Sequence, residues 1–506
     1  MSGKSSLARN VTTNWIGMGL NIVYALVITP VVIHALGTQQ YGAWSFLNGL
    51  LAYSELFYLG LGSAIIRFVA EARTSDDRTR INRLTSVVLT IYASIGLACL
   101  LLAFGVSGHM PAIFPDRLPP GLAHAITYTV VLLGVRLLLV FVASAFSGLL
   151  CGHDRFDLVN GVSIASLALR FMSIPWLIGV GPSPLLTFAL LMCAIGLLET
   201  LAMIVIAFRT VPGLSVWPAR PTSAELALLY GFGLQSFFVL MAFKLISYTD
   251  TAVITVKLGL VAAGLYTPAL TIVEYARMCV GGFAGVLLPR LTFHATQKNL
   301  PALRADYLSS ARIGFFVAGW LGAVVTGLGP AFVARWAGPE YGDASYMVLI
   351  WLTVASLAQA LSTQVPYPFF QALKLVSIPA VVLTIEGVLN LVLSIWLAPR
   401  MGIAGVALAT AIPTVLVTLM VLPTYLCRRL DLPIRRLAFE GAMPGLVMLA
   451  AASGAIYLGS RVLTPQSFLT IGAVGALTAP VAIAVFKMTF PRDEQHTIER
   501  LLRLRS

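Results

Sequence analysis

Charge is what this sequence has least of. Only 10% of its 506 residues are Asp, Glu, Lys or Arg, while 58% are hydrophobic and the mean hydropathy is +0.90. Soluble domains carry about 25% charged residues, so a water-soluble fold is excluded. Cysteine is scarce too. The five residues Cys99, Cys151, Cys193, Cys279 and Cys427 lie singly in or beside apolar segments. None shows CxxC or ligand-like spacing, which argues against a disulfide framework and a zinc site.

Other absences narrow the reading further. The longest stretches expected outside are only 108–121 and 337–345, so no extramembrane domain is predicted. The six histidines are scattered, and no Ser, Cys or His constellation suggests catalysis. Ser2–Ser6 (SGKSS) lacks the upstream glycine and the strand of a P-loop, and Gly60–Gly62 has no nucleotide-binding context. No cofactor, no metal and no enzymatic activity are expected. A cleavable leader is not expected either, because Met1–Asn10 runs directly into a full-length span.

What is present is apolar length. Runs of about 20 apolar residues predict an all-α polytopic membrane protein of about 14 transmembrane helices. They fall near 11–35, 42–67, 84–108, 122–150, 157–180, 184–208, 227–257, 262–289, 309–334, 344–372, 376–398, 402–427, 439–460 and 467–489. An even count places both termini on one side. About 24 of the 33 Lys and Arg fall in the termini and alternate loops, against Arg117, Lys257, Arg335, Arg400 and Arg461 on the other side. The positive-inside rule then makes both termini cytoplasmic. The net charge of +13 reports topology rather than a nucleic-acid partner. The tail Pro491–Ser506 reads as a short basic amphipathic helix on the inner membrane surface.

An internal repeat is visible. The first helix pair is joined through LGTQQYGAW (Leu36–Trp44), the seventh and eighth helices through LGLVAAGLY (Leu258–Tyr266). An offset of 222 residues superposes them, placing Gly60 on Gly282 and Glu55 on Arg277. Both first helices run in the same direction, as in parallel transporter repeats.

Charges at mid-depth are the most informative residues. Glu55, Arg136, Arg170, Glu199, Lys244, Glu274, Arg277 and Glu386 lie near span centres, with Asp250 nearer the outer end of its helix. Facing lipid, they would cost roughly 20–30 kcal/mol in total, so most must point inward. Polar neighbours at three- and four-residue spacing agree: Asn14, Gly17, Asn21 and Tyr24; Ser45, Asn48, Glu55 and Gly62; Asn160, Ser163 and Arg170; Thr267, Thr271, Glu274 and Gly281. Two uses remain open. Glu274 with Arg277, and Arg136 and Arg170 with Glu199, either neutralise one another as struts or line a polar pathway.

Several segments resemble the Wzx-type polysaccharide flippases of the multidrug/oligosaccharidyl-lipid/polysaccharide (MOP) superfamily. They are Pro30–Ile33, LGTQQYGAW, YLGLGSAIIRFVAEA (Tyr58–Ala72), LGLVAAGLYTPA (Leu258–Ala269), WAGPEYGDAS (Trp336–Ser345) and MGIAGVALAT (Met401–Thr410). The resemblance covers roughly residues 8–430. It implies two six-helix lobes in a V-shaped, MATE-like arrangement, helices 1–6 over 11–208 and helices 7–12 over 227–427. Residues 1–10 and the inter-lobe loop 209–226 would be cytoplasmic, and 428–489 would form an extra helix pair before the tail 490–506. Such a pair is seen in some branches, including lipid II flippases.

The implied function is alternating-access transfer of polyprenyl-diphosphate-linked oligosaccharides to the outer leaflet, for O-antigen, capsule or exopolysaccharide synthesis. The implied setting is the inner membrane, with polymerase and chain-length proteins as partners. Lys244 and Arg277 become candidate diphosphate or sugar-acid contacts, with Arg67 and Arg290 at the cytoplasmic mouth. Asn21, Asn48, Arg136 and Arg170 complete the substrate-binding set. Glu55, Asp250 and Glu274 are candidates for proton or sodium coupling. One departure stands out: mid-membrane charges of both signs nearly cancel here, where family members often have a cationic lumen. Alternatives are a lipid II flippase or multidrug exporter of the same superfamily. A polytopic polymerase or ligase fits less well, because it usually needs a sizeable outer loop.

Overall fold

A computed structural model describes residues 2–58, 61–75, 77–115, 118–181, 183–285 and 287–496, with the side chains of 2–18, 55, 58, 63, 228–238 and 283–285 outside that description. Gly60, Arg117, the side chains of Asn14 and Glu55, and the tail beyond 496 therefore lie outside the described residues. Every regular element among the described residues is helical.

The first half contains α1 (Ser2–Tyr53), α2 (Leu61–Thr74), α3 (Arg78–Ser107), α4 (Pro120–Gly152), α5 (Phe156–Leu177) and α6 (Pro184–Thr210). The second begins with α7 (Ser223–Leu258), α8 (Leu260–Gly285), α9 (Leu288–Thr296), α10 (Leu300–Trp336), α11 (Pro339–Gln359) and α12 (Tyr367–Ala372). It ends with α13 (Ser377–Pro413), α14 (Leu419–Arg429), α15 (Ile434–Arg436), α16 (Met443–Val462), α17 (Phe468–Ala476) and α18 (Thr478–Thr489). Among the described residues, 11 helices are long and apolar enough to cross a membrane. Glycines at positive φ split two of these runs, Gly37 (φ 68) in α1 and Gly402 (φ 60) in α13. About fourteen spans is consistent with that arrangement.

Some spans are less regular than their composition predicts. The second, expected unbroken over 42–67, is interrupted by a 3-10 turn at Ser54–Tyr58. The tenth passes through a π turn at Ala360–Gln364, and a second π turn, Thr414–Thr418, joins α13 to α14.

The chain forms two compact units, residues 1–244 with 255–264, and residues 245–254 with 265–506. In the first, α2, α3 and α4 share a core of fully buried Leu61, Ile65, Val87, Val88, Phe141 and Leu149. Small residues set the spacing: a Cβ on Gly152 would meet Val69, and one on Gly96 would meet the Leu138 backbone.

The repeat is physically realised within this unit. Gly37 (φ 68, ψ 166) and Gly259 (φ 92, ψ 174), 222 residues apart, adopt the same conformation. A Cβ on Gly42 would strike the Leu260 carbonyl, and one on Gly264 would strike the Thr38 carbonyl. The two LG turns thus pack reciprocally, position for position.

The loop before α7 is a strap laid along α3. Asn82 Nδ2 donates to the Gly213 carbonyl (3.1 Å), and its Oδ1 accepts from Ser215 N (3.3 Å). Ser86 Oγ accepts from Trp217 N (3.2 Å) and Thr90 Oγ1 from Ala219 N (3.0 Å). The register is arithmetic. Two extended residues advance about 6.6 Å, and four helical residues about 6 Å, so N–H groups at 215, 217 and 219 meet side chains at 82, 86 and 90. Pro218 falls between bonded positions, where no donor is needed.

The strap ends in a capping box, Thr222 with Glu225, and Glu225 is held by Arg83 Nε at 2.8 Å. That guanidinium pushes the Glu225 carboxyl from 4.5 down to about 2. A depressed folded-state pKa stabilises above the unfolded value and is lost as pH falls through the folded one. Parent and Glu225→Gln proteins should therefore differ in thermal midpoint throughout the range above pH 4.5 and converge only near pH 2. Convergence already at pH 4.5 would show that the clasp does not form.

In the second unit the last helices are part of the core. Gly319 of α10 and Gly445 of α16 meet backbone to backbone, and Trp320 Nε1 donates to Thr478 Oγ1 at 2.8 Å. Buried Arg312 donates from Nε to the Glu440 carbonyl (2.8 Å) and pairs with Glu494 (2.7 Å), beside the Phe490 ring.

Candidate functional site

Each unit holds a polar cluster, half-buried in the first and buried in the second. In the first, α4, α5 and α6 bring Arg136, Arg170 and Glu199 together. Arg170 Nη2 lies 3.3 Å from Glu199 Oε2, which also accepts from Ser166 Oγ at 2.9 Å. Arg136 faces both Arg170 and Glu199, with its stem beside Gly196. Arg170 Nε has no hydrogen-bond partner among the described residues. Two guanidinium groups face one carboxylate, so the cluster carries an uncompensated positive charge suited to an anion.

In the second unit the cluster is acidic and built around Asp250, which is 3% exposed. Its Oδ2 accepts from Tyr266 OH (3.0 Å) and Thr410 Oγ1 (2.6 Å). Asn390 Nδ2 donates to Thr410 Oγ1 at 2.9 Å, and Ser394 faces the same carboxylate. Three oxygens of this cluster have no hydrogen-bond partner within bonding geometry among the described residues: Asp250 Oδ1, Asn390 Oδ1 and Ser394 Oγ. Unpartnered buried oxygens demand an explanation, and an all-oxygen set with one carboxylate suits a proton or a hard cation. Charge alone singles out Asp250 in the sequence but not Tyr266, Asn390, Ser394 or Thr410. The signal in the sequence that points to them is spacing, since Glu386, Asn390 and Ser394 recur every four residues, as do Thr410, Thr414 and Thr418.

The other candidates are dispersed. Arg277 Nη1 bonds Glu274 Oε1 at 2.7 Å within α8, and Lys244 is half-buried on α7. Arg290 is exposed and tied to Asp306 at 2.6 Å. Asn21, Asn48 and Arg67 are exposed. The Glu55 side chain lies outside the described residues. A cavity of about 560 Å³ in the first unit is lined by apolar side chains such as Leu47, Leu102 and Leu133 and includes none of the candidates whose side chains are described.

No family model matches the chain. It is 20% identical over 424 residues to the uncharacterized membrane protein EpsK of Bacillus subtilis, covering 83% of each chain. It is 21% identical over 425 residues to a "Putative O-antigen transporter" of Shigella flexneri, covering 82% of this chain and 96% of that one. Among solved structures, an inward-facing multidrug resistance MATE family transporter of the MOP superfamily superposes with a TM-score of 0.71 at 13% identity, over 81% of this chain and 94% of that one. The lipid II flippase MurJ superposes with a TM-score of 0.68 at 14% identity, over 95% and 98%. Those similar proteins whose names state an activity are transporters or a flippase, not enzymes. The chain is a multi-pass membrane protein with the fold of the MOP-superfamily transporters.

Proposed function

We propose that this protein moves polyprenyl-diphosphate-linked oligosaccharide repeat units from the cytoplasmic to the outer leaflet of the inner membrane by ion-coupled alternating access. The observation that carries this reading is the similarity to the "Putative O-antigen transporter", which runs through 96% of that protein. The basic cluster supports it. Arg136 and Arg170, two guanidinium groups facing the single carboxylate of Glu199, are the groups best placed by charge to meet a diphosphate, whereas Arg277 and Arg290 are each matched by a carboxylate of their own. Lys244, Arg67, Asn21 and Asn48 supply further substrate contacts. Asp250 is the coupling carboxylate, binding a proton or sodium ion among the unpartnered oxygens of Asn390 and Ser394; Glu55 and Glu274 are secondary candidates.

Deleting the gene should make polyprenyl-linked repeat units accumulate on the cytoplasmic leaflet, with loss of the surface polysaccharide. Normal export in a strain without a redundant flippase would refute the proposal. A lipid II flippase is the second reading, favoured by the 95% coverage of this chain in the MurJ superposition. Accumulation of lipid II instead would select it.

A further inference from the structure

A second buried carboxylate in the same unit has a geometry of its own. Glu386 on α13 is 1% exposed, and both of its oxygens are engaged. Thr414 Oγ1 lies 2.5 Å from Oε1, and the Thr418 hydroxyl contacts Oε2. These threonines bound the π turn joining α13 to α14, a kind of distortion frequent at functional sites.

The hydrogen inventory at Thr414 is decisive. Its hydroxyl carries one hydrogen but has two acceptors in range, Glu386 Oε1 at 2.5 Å and the Thr410 carbonyl at 2.8 Å. A backbone carbonyl can only accept. Two arrangements follow from the same heavy-atom positions. With Glu386 ionised, Thr414 donates to Oε1. With Glu386 protonated, the carboxyl O–H donates to Thr414 Oγ1, and Thr414 donates onward to the Thr410 carbonyl. Either way the carboxyl stays hydrogen-bonded. The penalty of a buried unsatisfied polar group is avoided in both charge states by the rotation of one hydroxyl.

We infer that Glu386 is a proton-binding site that changes charge during the protein's working cycle, separate from the Asp250 pocket and linked to it through Thr410 and Thr414. Thr410 donates to Asp250 Oδ2 at 2.6 Å and, through its own carbonyl, accepts from Thr414. Few groups face Glu386 among the described residues. From α8 comes Arg277, paired with Glu274; from α11 comes neutral Gln359, whose Oε1 has no partner; the π turn contributes only hydroxyls. Coupled transport, proposed above, gives this proton a use, but its detection does not depend on that reading.

The test is infrared difference spectroscopy of the full-length protein in lipid bilayers, with pH stepped from acid to alkaline. A component of the protonated-carboxyl band should titrate, disappear in Glu386→Gln and persist in Asp250→Asn. Thr414→Val keeps the carboxyl but removes the rotating hydroxyl, and should displace the midpoint of that component by about one pH unit or more. No component lost in Glu386→Gln, or an unmoved midpoint in Thr414→Val, overturns the inference. Should Glu386→Gln fail to yield monodisperse protein, Thr414→Val and Thr418→Val decide by the same criterion. A Glu386 component that persists in an Asp250→Asn protein with full export supports this site while refuting the Asp250 assignment.

Discussion

Asp250→Asn is expected to cut export of the lipid-linked substrate at least about tenfold while leaving the protein as heat-stable as the parent, or more so. The two halves of that result have separate causes. An asparagine oxygen still accepts from Tyr266 and Thr410, so the existing bonds survive. Its amide nitrogen takes the place of Oδ1, which has no hydrogen-bond partner among the described residues, and the Ser394 hydroxyl oxygen facing this carboxylate can accept from it. Replacing an unpartnered buried carboxylate oxygen by a neutral donor removes a desolvation penalty of about 1–3 kcal/mol. What is lost is the negative charge. In a buried site, losing even about 1.4 kcal/mol of preference for a cation or proton costs a factor of ten. Asp250→Ala should behave differently, losing export and stability together, because it strands the Tyr266 and Thr410 hydroxyls. Full export by Asp250→Asn, measured against protein amount in the membrane, would remove Asp250 from the coupling mechanism.

The different visibility of these residues in the sequence has a physical basis. A charge within a membrane span is expensive enough to be conspicuous in a single sequence, so Asp250, Glu386, Arg136 and Arg170 stand out unaided. The amide and hydroxyls that complete their sites cost far less to bury. Asn390, Ser394 and Thr410 therefore pass as ordinary helix residues unless their four-residue spacing is noticed. Partners 140–160 positions away on another helix, such as Thr410 for Asp250, leave no local trace at all. The spans follow from apolar length, but their interruptions do not: the turn at Ser54–Tyr58 contains neither proline nor glycine. The strap over α3 was equally hidden, since Asn82, Ser86 and Thr90 look like a polar helix face until Ser215, Trp217 and Ala219 are laid against them.

The repeat makes the second strong prediction. Gly42→Ala and Gly264→Ala should each destabilise the first unit by about 3 kcal/mol, the upper end of the range for overpacking. The reason is the kind of atom each new methyl meets. At Gly42 the obstacles are the carbonyl of Leu260 and the nitrogen of Gly264; at Gly264 they are the carbonyl of Thr38 and its side chain. Backbone cannot swing aside as a long side chain can, so the two LG turns must separate. Gly19 and Gly105 are the controls, because nothing lies within 4 Å of a Cβ at either position. Alanine there should be neutral or should stabilise by up to about 1 kcal/mol through helix propensity. The double variant Gly42→Ala/Gly264→Ala should cost clearly less than the sum of the singles, because one separation of the turns relieves both clashes. Melting midpoints of the purified variants in a single detergent measure all of these. Strict additivity would mean that the two turns are packed independently, and a Gly42→Ala protein as stable as Gly105→Ala would mean that they are not packed together at all.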